Sequence, residues 1–338
     1  MLKKLLVSAV ATATLLTAPG AFAQSKELLN SSYDIARELF GAVNPKFQEY
    51  WKKNHNEDVS VTQSHGGSSR QAQAILQGLK ADVVTFNQVT DVDFLAQRNF
   101  VAKDWQQAFP NNASPYYSTI GFLVRDGNPK NIKNWDDLVR DDVRLVFPNP
   151  KTSGNARYTY LAAWLYANQA FNGDEAKVKQ FVGKLLSNVE NFPTGGRGAT
   201  VAFAQNNQGD VLLTFESEVQ NIAAGDEFKA LKLQPVIPPV SILAEFPVAV
   251  VDRVAKEKGT EALAKGYLDY LYTPEAQELL ASFYYRVHDE AVIKANAERF
   301  PKVELLKVED GIGPWEKVQQ AHFGSGGILD ELLAAGRR

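Results

Sequence analysis

Residues 59–79 have the sequence VSVTQSHGGSSRQAQAILQGL, and this stretch decides the fold class. Val59-Ser60-Val61-Thr62 is rich in β-branched residues, which predicts a strand. The glycines and serines of residues 64–69 predict a tight turn. Gln71–Leu79 has apolar residues at helical spacing, which predicts an amphipathic helix. A strand, a turn and a helix in this order are typical of an α/β protein.

The same plan recurs along the chain and continues into a more helical C-terminal third. Strands that alternate with helices predict a mostly parallel sheet with helices on both faces. Two long apolar runs, Tyr117–Val124 and Ile242–Val251, are expected to carry the chain between two halves of the molecule. Thr273 and Pro274 predict a helix start, with Thr273 as the cap. Further predicted elements are strands at Val143–Phe147 and Asp210–Phe215 and helices at Ala156–Phe171, Ala199–Gln205, Glu216–Ala224, Glu261–Leu271, Ala276–Phe283 and Gly327–Arg338.

The composition is that of an ordinary globular protein. The chain has 338 residues, of which 45% are hydrophobic and 22% charged, and its length predicts about two domains. Because cysteine is absent, disulfides and thiolate chemistry are excluded. A net charge of −3 without a basic run argues against nucleic acid as a partner.

The first 23 residues have the pattern of a secretory signal peptide. Lys3 and Lys4 precede the apolar run Leu5–Leu16, and Ala21-Phe22-Ala23 is a small-x-small cleavage site. The apolar run is shorter than the roughly 20 residues that a membrane span needs, which disfavours an anchor. We therefore expect a cleaved signal, with Gln24 as the first mature residue, and a soluble periplasmic protein.

The sequence contains no recognisable catalytic motif. It has neither the Gly-x-Ser-x-Gly elbow of serine hydrolases nor a nucleotide-binding glycine loop. We expect no catalytic residue, metal or other cofactor, and we expect His65 to hydrogen bond to the backbone. Two alternatives stay open. One is a secreted hydrolase of sulfate or phosphate esters, and the other is a ferric-binding protein that uses Tyr116-Tyr117 and Tyr284-Tyr285, for which core packing is the preferred interpretation.

The glycine-rich turns before predicted helices are the feature that indicates a ligand. A helix N-terminus has unpaired N–H groups and about half a positive charge, and glycine lets an anion approach them. Three such turns occur, at 66–68, 153–155 and 195–197. At the carboxyl ends of strands they predict an anion site built from donors. Such a site favours a fully ionised oxyanion, since hydrogen phosphate carries a proton that needs an acceptor.

Five blocks of sequence carry a family resemblance. They are residues 28–34 (LLNSSYD), 63–68 (QSHGGS), 148–154 (PNPKTSG), 195–198 (GGRG) and 241–245 (SILAE). In this order they resemble the periplasmic sulfate- and thiosulfate-binding proteins of ABC importers, across essentially the whole mature chain. The resemblance implies an α/β, two-lobed type II periplasmic binding protein fold, in which each lobe is a mixed, mostly parallel sheet flanked by helices. It also implies a membrane permease as partner, and we expect a monomer.

The resemblance further implies the lobe boundaries and the ligand site. Lobe I would comprise residues 24–117 and 246–338, and lobe II residues 118–245. The Asp34 side chain is expected to cap the first helix, and Arg197 to lie behind the residues that touch the anion. The implied donors are the backbone N–H groups of Asp34, Ser68, Gly154, Asn155 and Gly196, together with the hydroxyl of Ser68.

The sequence departs from the sulfate-specific pattern at two places in the chain, at Phe215 and at Asn87-Gln88. Sulfate-specific members have a tryptophan at the end of the strand that here ends in Phe215, and the lost indole donor disfavours sulfate more than thiosulfate. Asn87-Gln88 places amides where the sulfate group has apolar residues. The resemblance therefore implies a thiosulfate binder that also takes sulfate, with a sulfate-specific or other tetrahedral oxyanion binder as the alternative.

Overall fold

The strands form where the sequence has short runs of β-branched and aromatic residues, which favour a pleated backbone. The structure is a computed structural model that describes residues 26–336, so the predicted signal peptide lies outside the described residues. The strands are β1 (Lys26–Ser32), β2 (Val59–His65), β3 (Val83–Thr85), β4 (Tyr116–Ser118), β5 (Ile120–Val124), β6 (Leu145–Val146), β7 (Val189–Asn191), β8 (Val211–Phe215), β9 (Gln234–Val236), β10 (Val240–Ile242), β11 (Ala244–Glu245), β12 (Val248–Val250), β13 (Arg286–Val287) and β14 (Glu304–Leu306).

Several helices begin after a capping side chain or a glycine turn. The predicted cap is confirmed, because the Thr273 hydroxyl accepts the N–H of Ala276 and Pro274 is the first helical residue. The helices are α1 (Arg37–His55), α2 (Ser68–Leu76), α3 (Val89–Ala96), α4 (Pro110–Ala113), α5 (Gly154–Ala170), α6 (Glu175–Ser187), α7 (Gly196–Thr200), α8 (Glu216–Ala224), α9 (Asp252–Lys258), α10 (Glu261–Tyr270), α11 (Pro274–Ser282), α12 (Glu290–Ala295), α13 (Val308–Gly311), α14 (Trp315–Val318) and α15 (Ile328–Ala335).

Three helices begin earlier than the sequence predicted. α2 begins at Ser68 instead of Gln71, α5 at Gly154 instead of Ala156, and α7 at Gly196 instead of Ala199. The prediction followed the first apolar residue, whereas the backbone becomes helical directly after the turn. The small residues of the turns therefore supply the first N–H groups of these helices.

The helices α2, α5 and α7 follow strands of two large sheets. The first has the order β12-β3-β1-β2, in which β1 is parallel to β2 and β3 and only β12 is antiparallel. The second has the order β7-β6-β8-β5-β9, with β6 parallel to β7 and β8, and β5 antiparallel to β8 and β9. Two small sheets, β10-β14 and β11-β4-β13, complete the described part of the fold. The predicted α/β class with mixed sheets is confirmed.

The two apolar runs carry the chain from one sheet to another. Tyr117–Val124 passes from the three-stranded sheet into the five-stranded sheet, and Ile242–Val251 passes from β10 through β11 to β12 in the four-stranded sheet. The C-terminal segment then returns, since β14 pairs with β10 and α15 packs on α6. The exact lobe boundaries stay a prediction.

The five-stranded sheet is covered on both faces. Along β5, Ile120, Phe122 and Val124 belong to the main core, whereas Leu123 belongs to a smaller core with Phe203. This alternation is what a strand buried on both sides requires. The carboxyl ends of the strands, with the helix starts that follow them, are thereby held in fixed positions.

Candidate functional site

The start of α5 lies directly against Asn87, the second residue after β3. A Cβ added to Gly154 would lie 2.5 Å from Asn87 Oδ1, so only glycine fits there without a shift. A Cβ added to Gly67, which precedes α2, would lie 3.1 Å from the backbone oxygen of Thr152. The turns before α2 and α5 therefore meet, although they follow strands of different sheets.

The start of α7 lies against the 3₁₀ segment Asp34–Ala36. A Cβ added to Gly195 would lie 2.7 Å from Asp34 Oδ2, and one added to Gly196 would lie 3.5 Å from Asn155 Nδ2. The structure thus brings together the predicted donor positions from four turns that are far apart in sequence.

The backbone N–H groups at these turns have no protein partner. Within residues 26–336, the hydrogen bonds include no acceptor for the N–H groups of Asp34, Ser68, Gly154, Asn155 and Gly196. All of these residues except Asp34 are buried. Buried backbone N–H groups are almost always paired, because leaving one unpaired costs free energy. Four such groups at turns that lie against one another indicate that a bound acceptor completes the site.

The hydroxyl of Ser68 has a different role from the predicted one. It donates to Asn87 Oδ1 at 2.6 Å and accepts the N–H of Asn87 at 3.1 Å, and both residues are buried. A hydroxyl has a single proton, so that proton is not free for an anion while this bond is made. The side chain of Ser68 therefore fixes Asn87, and its backbone N–H stays available.

The prediction that Asp34 caps the first helix by its side chain is wrong. Asp34 is the first residue of the 3₁₀ segment, and the position before it, Tyr33, has no side-chain cap. Asp34 Oδ2 instead accepts the backbone N–H of Arg197 at 3.4 Å. The carboxylate therefore links its own segment to the turn before α7.

Comparisons with known proteins show the family of the chain. Residues 35–286 match the model of a family described as "Bacterial extracellular solute-binding protein". The chain belongs to this family. A thiosulfate-binding protein from Escherichia coli is 57% identical over 93% of both chains, and a sulfate-binding protein from the same organism is 45% identical over 94% of this chain and 96% of its own.

A solved relative supports the fold of this solute-binding protein. The sulfate-binding protein SubI from Mycobacterium tuberculosis has a TM-score of 0.78 and 32% identity, and the match covers 88% of this chain and 99% of the relative. The predicted family resemblance and the two-lobed fold class are thus confirmed. Among residues 26–336, no helix has the length and apolarity to cross a membrane.

Arg197 and Phe215 have different surroundings in this solute-binding protein. Arg197 is exposed, and its guanidinium lies 3.4 Å from Glu38 Oε1. The backbone N–H of Arg197 donates to Asp34 Oδ2. Phe215 is fully buried at the end of β8, and its ring lies 5.0 Å from the ring of Phe246. Phe215 thus places a buried apolar ring at the strand end where the resemblance implied a missing donor.

A chain of hydrogen-bonded side chains lies behind the turns before α5 and α7, and the sequence did not predict it. Asn155 Nδ2 donates to Thr214 Oγ1 at 2.7 Å, and the Thr214 hydroxyl in turn bonds to Glu218. The hydroxyl of Thr200 donates to the other oxygen of Glu218 at 3.0 Å. Glu218 therefore lies behind the starts of both α5 and α7.

Burial raises the pKa of Glu218 to about 7, and the hydrogen bond from Thr214 only partly opposes the shift. Asp34 raises this pKa further, whereas Arg197 lowers it. An acid in the first turn of a helix is ordinarily an exposed partner of the helix dipole, so the pattern of residues 216–218 contains no signal for this burial.

Two buried ion pairs join residues that are remote in sequence around the site. Arg157 Nη1 lies 3.5 Å from Asp91 Oδ1, and burial raises the pKa of Asp91 while Arg157 opposes the shift. Arg286 donates to both oxygens of Glu216, with Nε at 2.6 Å and Nη2 at 2.9 Å. Both pairs connect segments that the sequence assigned to different lobes.

The residues behind the alternative functions have structural partners. Tyr116 and Tyr285 are buried with Tyr33, whose hydroxyl lies 2.8 Å from that of Tyr285 and 3.4 Å from that of Tyr116. His65 Nδ1 lies 3.2 Å from the backbone oxygen of Tyr33, so the predicted backbone bond is confirmed. Within residues 26–336, no three His, Cys, Asp or Glu side chains are grouped to hold a metal ion.

Proposed function

We propose that this protein captures thiosulfate, and also sulfate, and delivers it to the membrane permease of an ABC importer. The observation that carries the proposal is the set of unpaired N–H groups of the buried residues Ser68, Gly154, Asn155 and Gly196, at turns that lie against one another. A fully ionised oxyanion is an acceptor on every side, so it can pair with all of them.

The partial charges of the helix starts and the number of hydrogen-bond donors suit a doubly negative anion. The starts of α2, α5 and α7 and of the 3₁₀ segment at Asp34 each contribute at most about half a positive charge, together roughly +1.5 to +2. A hydrogen bond to a charged acceptor contributes about 1.5–3 kcal/mol net, so five N–H groups suffice for a tight complex after the entropy losses of association. The anion therefore needs no neighbouring cation.

Phe215 supports thiosulfate over sulfate as the preferred anion. Its buried ring offers no hydrogen bond, and the terminal sulfur of thiosulfate is larger and a weaker acceptor than oxygen. An apolar contact at this point therefore costs thiosulfate less than it costs sulfate. The higher identity to a thiosulfate-binding relative than to a sulfate-binding one supports the same preference.

We propose the remaining properties on the same basis. The protein acts as a periplasmic monomer after cleavage of residues 1–23, and it binds without catalysing a reaction. Its lobes comprise residues 24–117 with 246–338, and residues 118–245. The ion pairs Arg157–Asp91 and Glu216–Arg286 would then hold the two lobes together.

Calorimetric titration of the mature chain tests the proposal. We expect saturable one-to-one binding of thiosulfate, weaker binding of sulfate, and no comparable binding of phosphate or molybdate. A parallel incubation with sulfate and phosphate esters tests the hydrolase alternative. Release of product from an ester would contradict the proposed function, as would the absence of binding of both thiosulfate and sulfate.

A further inference from the structure

Gln88 is a buried amide without a hydrogen-bond partner. Its side chain is fully buried, and neither its amide nitrogen nor its amide oxygen is paired within residues 26–336. An unsatisfied buried amide costs free energy, so its presence in a folded protein needs a reason. Gln88 directly precedes α3, where it forms no side-chain cap.

The position of Gln88 relates this amide to the anion site. A Cβ added to Gly154 would lie 3.1 Å from the Cβ of Gln88, so Gln88 packs against the first residue of α5. The Oδ1 of its neighbour Asn87 is occupied, since it accepts the Ser68 hydroxyl. Gln88 is a further amide beside the start of α5, and within residues 26–336 both of its amide atoms are unpaired, next to the unpaired N–H groups of Ser68 and Gly154.

We propose that Gln88 is a ligand-contacting residue whose amide nitrogen donates a hydrogen bond to an oxygen of the bound oxyanion. This inference rests on the proposed function. In the free protein the amide is buried without a partner, and the anion supplies the acceptor for its N–H groups. Gln88 thus provides a side-chain donor in a site that is otherwise built from backbone.

The test compares two variants of Gln88 by calorimetry with thiosulfate and with sulfate. Gln88→Met keeps the length of the side chain and removes both polar atoms, and Gln88→Glu keeps an oxygen but removes the donor. We expect Gln88→Met to weaken anion binding by about ten- to hundredfold, as for the loss of a hydrogen bond to a charged acceptor. We expect at least as large a loss for Gln88→Glu, because a buried carboxylate also repels the anion.

Thermal unfolding without ligand separates a binding role from a structural one. Because the amide is unpaired in the free protein, Gln88→Met should leave the melting temperature unchanged or raise it. Gln97→Met, at the exposed end of the same helix, is the matched control and should bind both anions as the wild type does. Unchanged affinity in Gln88→Met, or in Gln88→Glu, would overturn the assignment of Gln88, whereas failure of the wild type to bind either anion would overturn the proposed function itself.

Discussion

Gly154 lies so close to Asn87 that a Cβ on Gly154 would be 2.5 Å from Asn87 Oδ1. Asn87 cannot move away freely, because its Oδ1 also accepts the Ser68 hydroxyl at 2.6 Å. The starts of α2 and α5 are thus coupled through one amide. This coupling is what places their unpaired N–H groups beside each other.

Gly154→Ala should weaken thiosulfate binding by about tenfold or more. A loss of only about 1.4 kcal/mol in binding free energy already raises the dissociation constant tenfold. The added methyl would force Asn87 to move and break its bond with Ser68. The measurement is a calorimetric titration. Gly41→Ala is the control, because a Cβ on Gly41 meets nothing within 4 Å, and it should leave the affinity as it is while stabilising α1 by about 0.5–1 kcal/mol. Equal dissociation constants for Gly154→Ala and wild type would contradict the coupling.

Ser68→Ala should lower both stability and affinity. It removes the donor to Asn87 Oδ1 and the acceptor for the N–H of Asn87, which leaves buried polar groups unpaired at a cost of about 1–3 kcal/mol. Chemical unfolding and titration with thiosulfate measure the two effects. Ser187→Ala, which removes an exposed hydroxyl bonded within its own helix, should change neither quantity. A Ser68→Ala protein with wild-type affinity would show that the position of Asn87 does not matter for binding.

Glu218 should make the stability of the free protein depend on pH. Burial raises its pKa to about 7, so the folded state holds a proton that the unfolded state releases near pH 4.5. The folded state therefore binds more protons between these values, and stability falls as pH rises through this window, by about 3 kcal/mol in total. Glu218→Gln, which is neutral at every pH, should lose this part of the dependence. Parallel pH profiles of unfolding free energy for variant and wild type would contradict the raised pKa.

Phe215→Trp should shift preference toward sulfate. The indole N–H would add a donor at the end of β8, and sulfate has a fourth strong acceptor oxygen where thiosulfate has a sulfur. Because Phe215 is fully buried against Phe246, the larger ring should also destabilise the protein by about 1–3 kcal/mol. The ratio of the sulfate to the thiosulfate dissociation constant is the quantity to measure, since it cancels a general loss of fit. A ratio equal to that of the wild type would exclude Phe215 as a determinant of specificity.

Much of the fold was predictable because local patterns determine it. The strand at Val59–Thr62, the helix Glu216–Ala224 and the cap at Thr273 all depend on neighbouring residues, and each lies within the element that the structure contains. The starts of α2, α5 and α7 were predicted two or three residues late. Glycine and serine contribute nothing to apolar periodicity, although they form the first helical turn.

For the site, the sequence predicted the backbone N–H groups but not the buried polar side chains around them. Glycine-rich turns before predicted helices indicate free N–H groups from the sequence itself, and the family resemblance implied which of them face a ligand. Glu218 and Gln88 could not be found in this way, because burial of a polar side chain depends on the segments that pack over it. The bond from Asp34 to the Arg197 N–H was missed for the same reason, since it joins residues 163 positions apart.

A crystal structure of the mature protein with thiosulfate would show directly how the anion is held. We expect an anion without a neighbouring cation, whose oxygens accept hydrogen bonds from the backbone N–H groups of Ser68, Gly154, Asn155 and Gly196. An anion held by an arginine, a lysine or a metal ion, or bound elsewhere while these four N–H groups stay unpaired, would contradict this expectation.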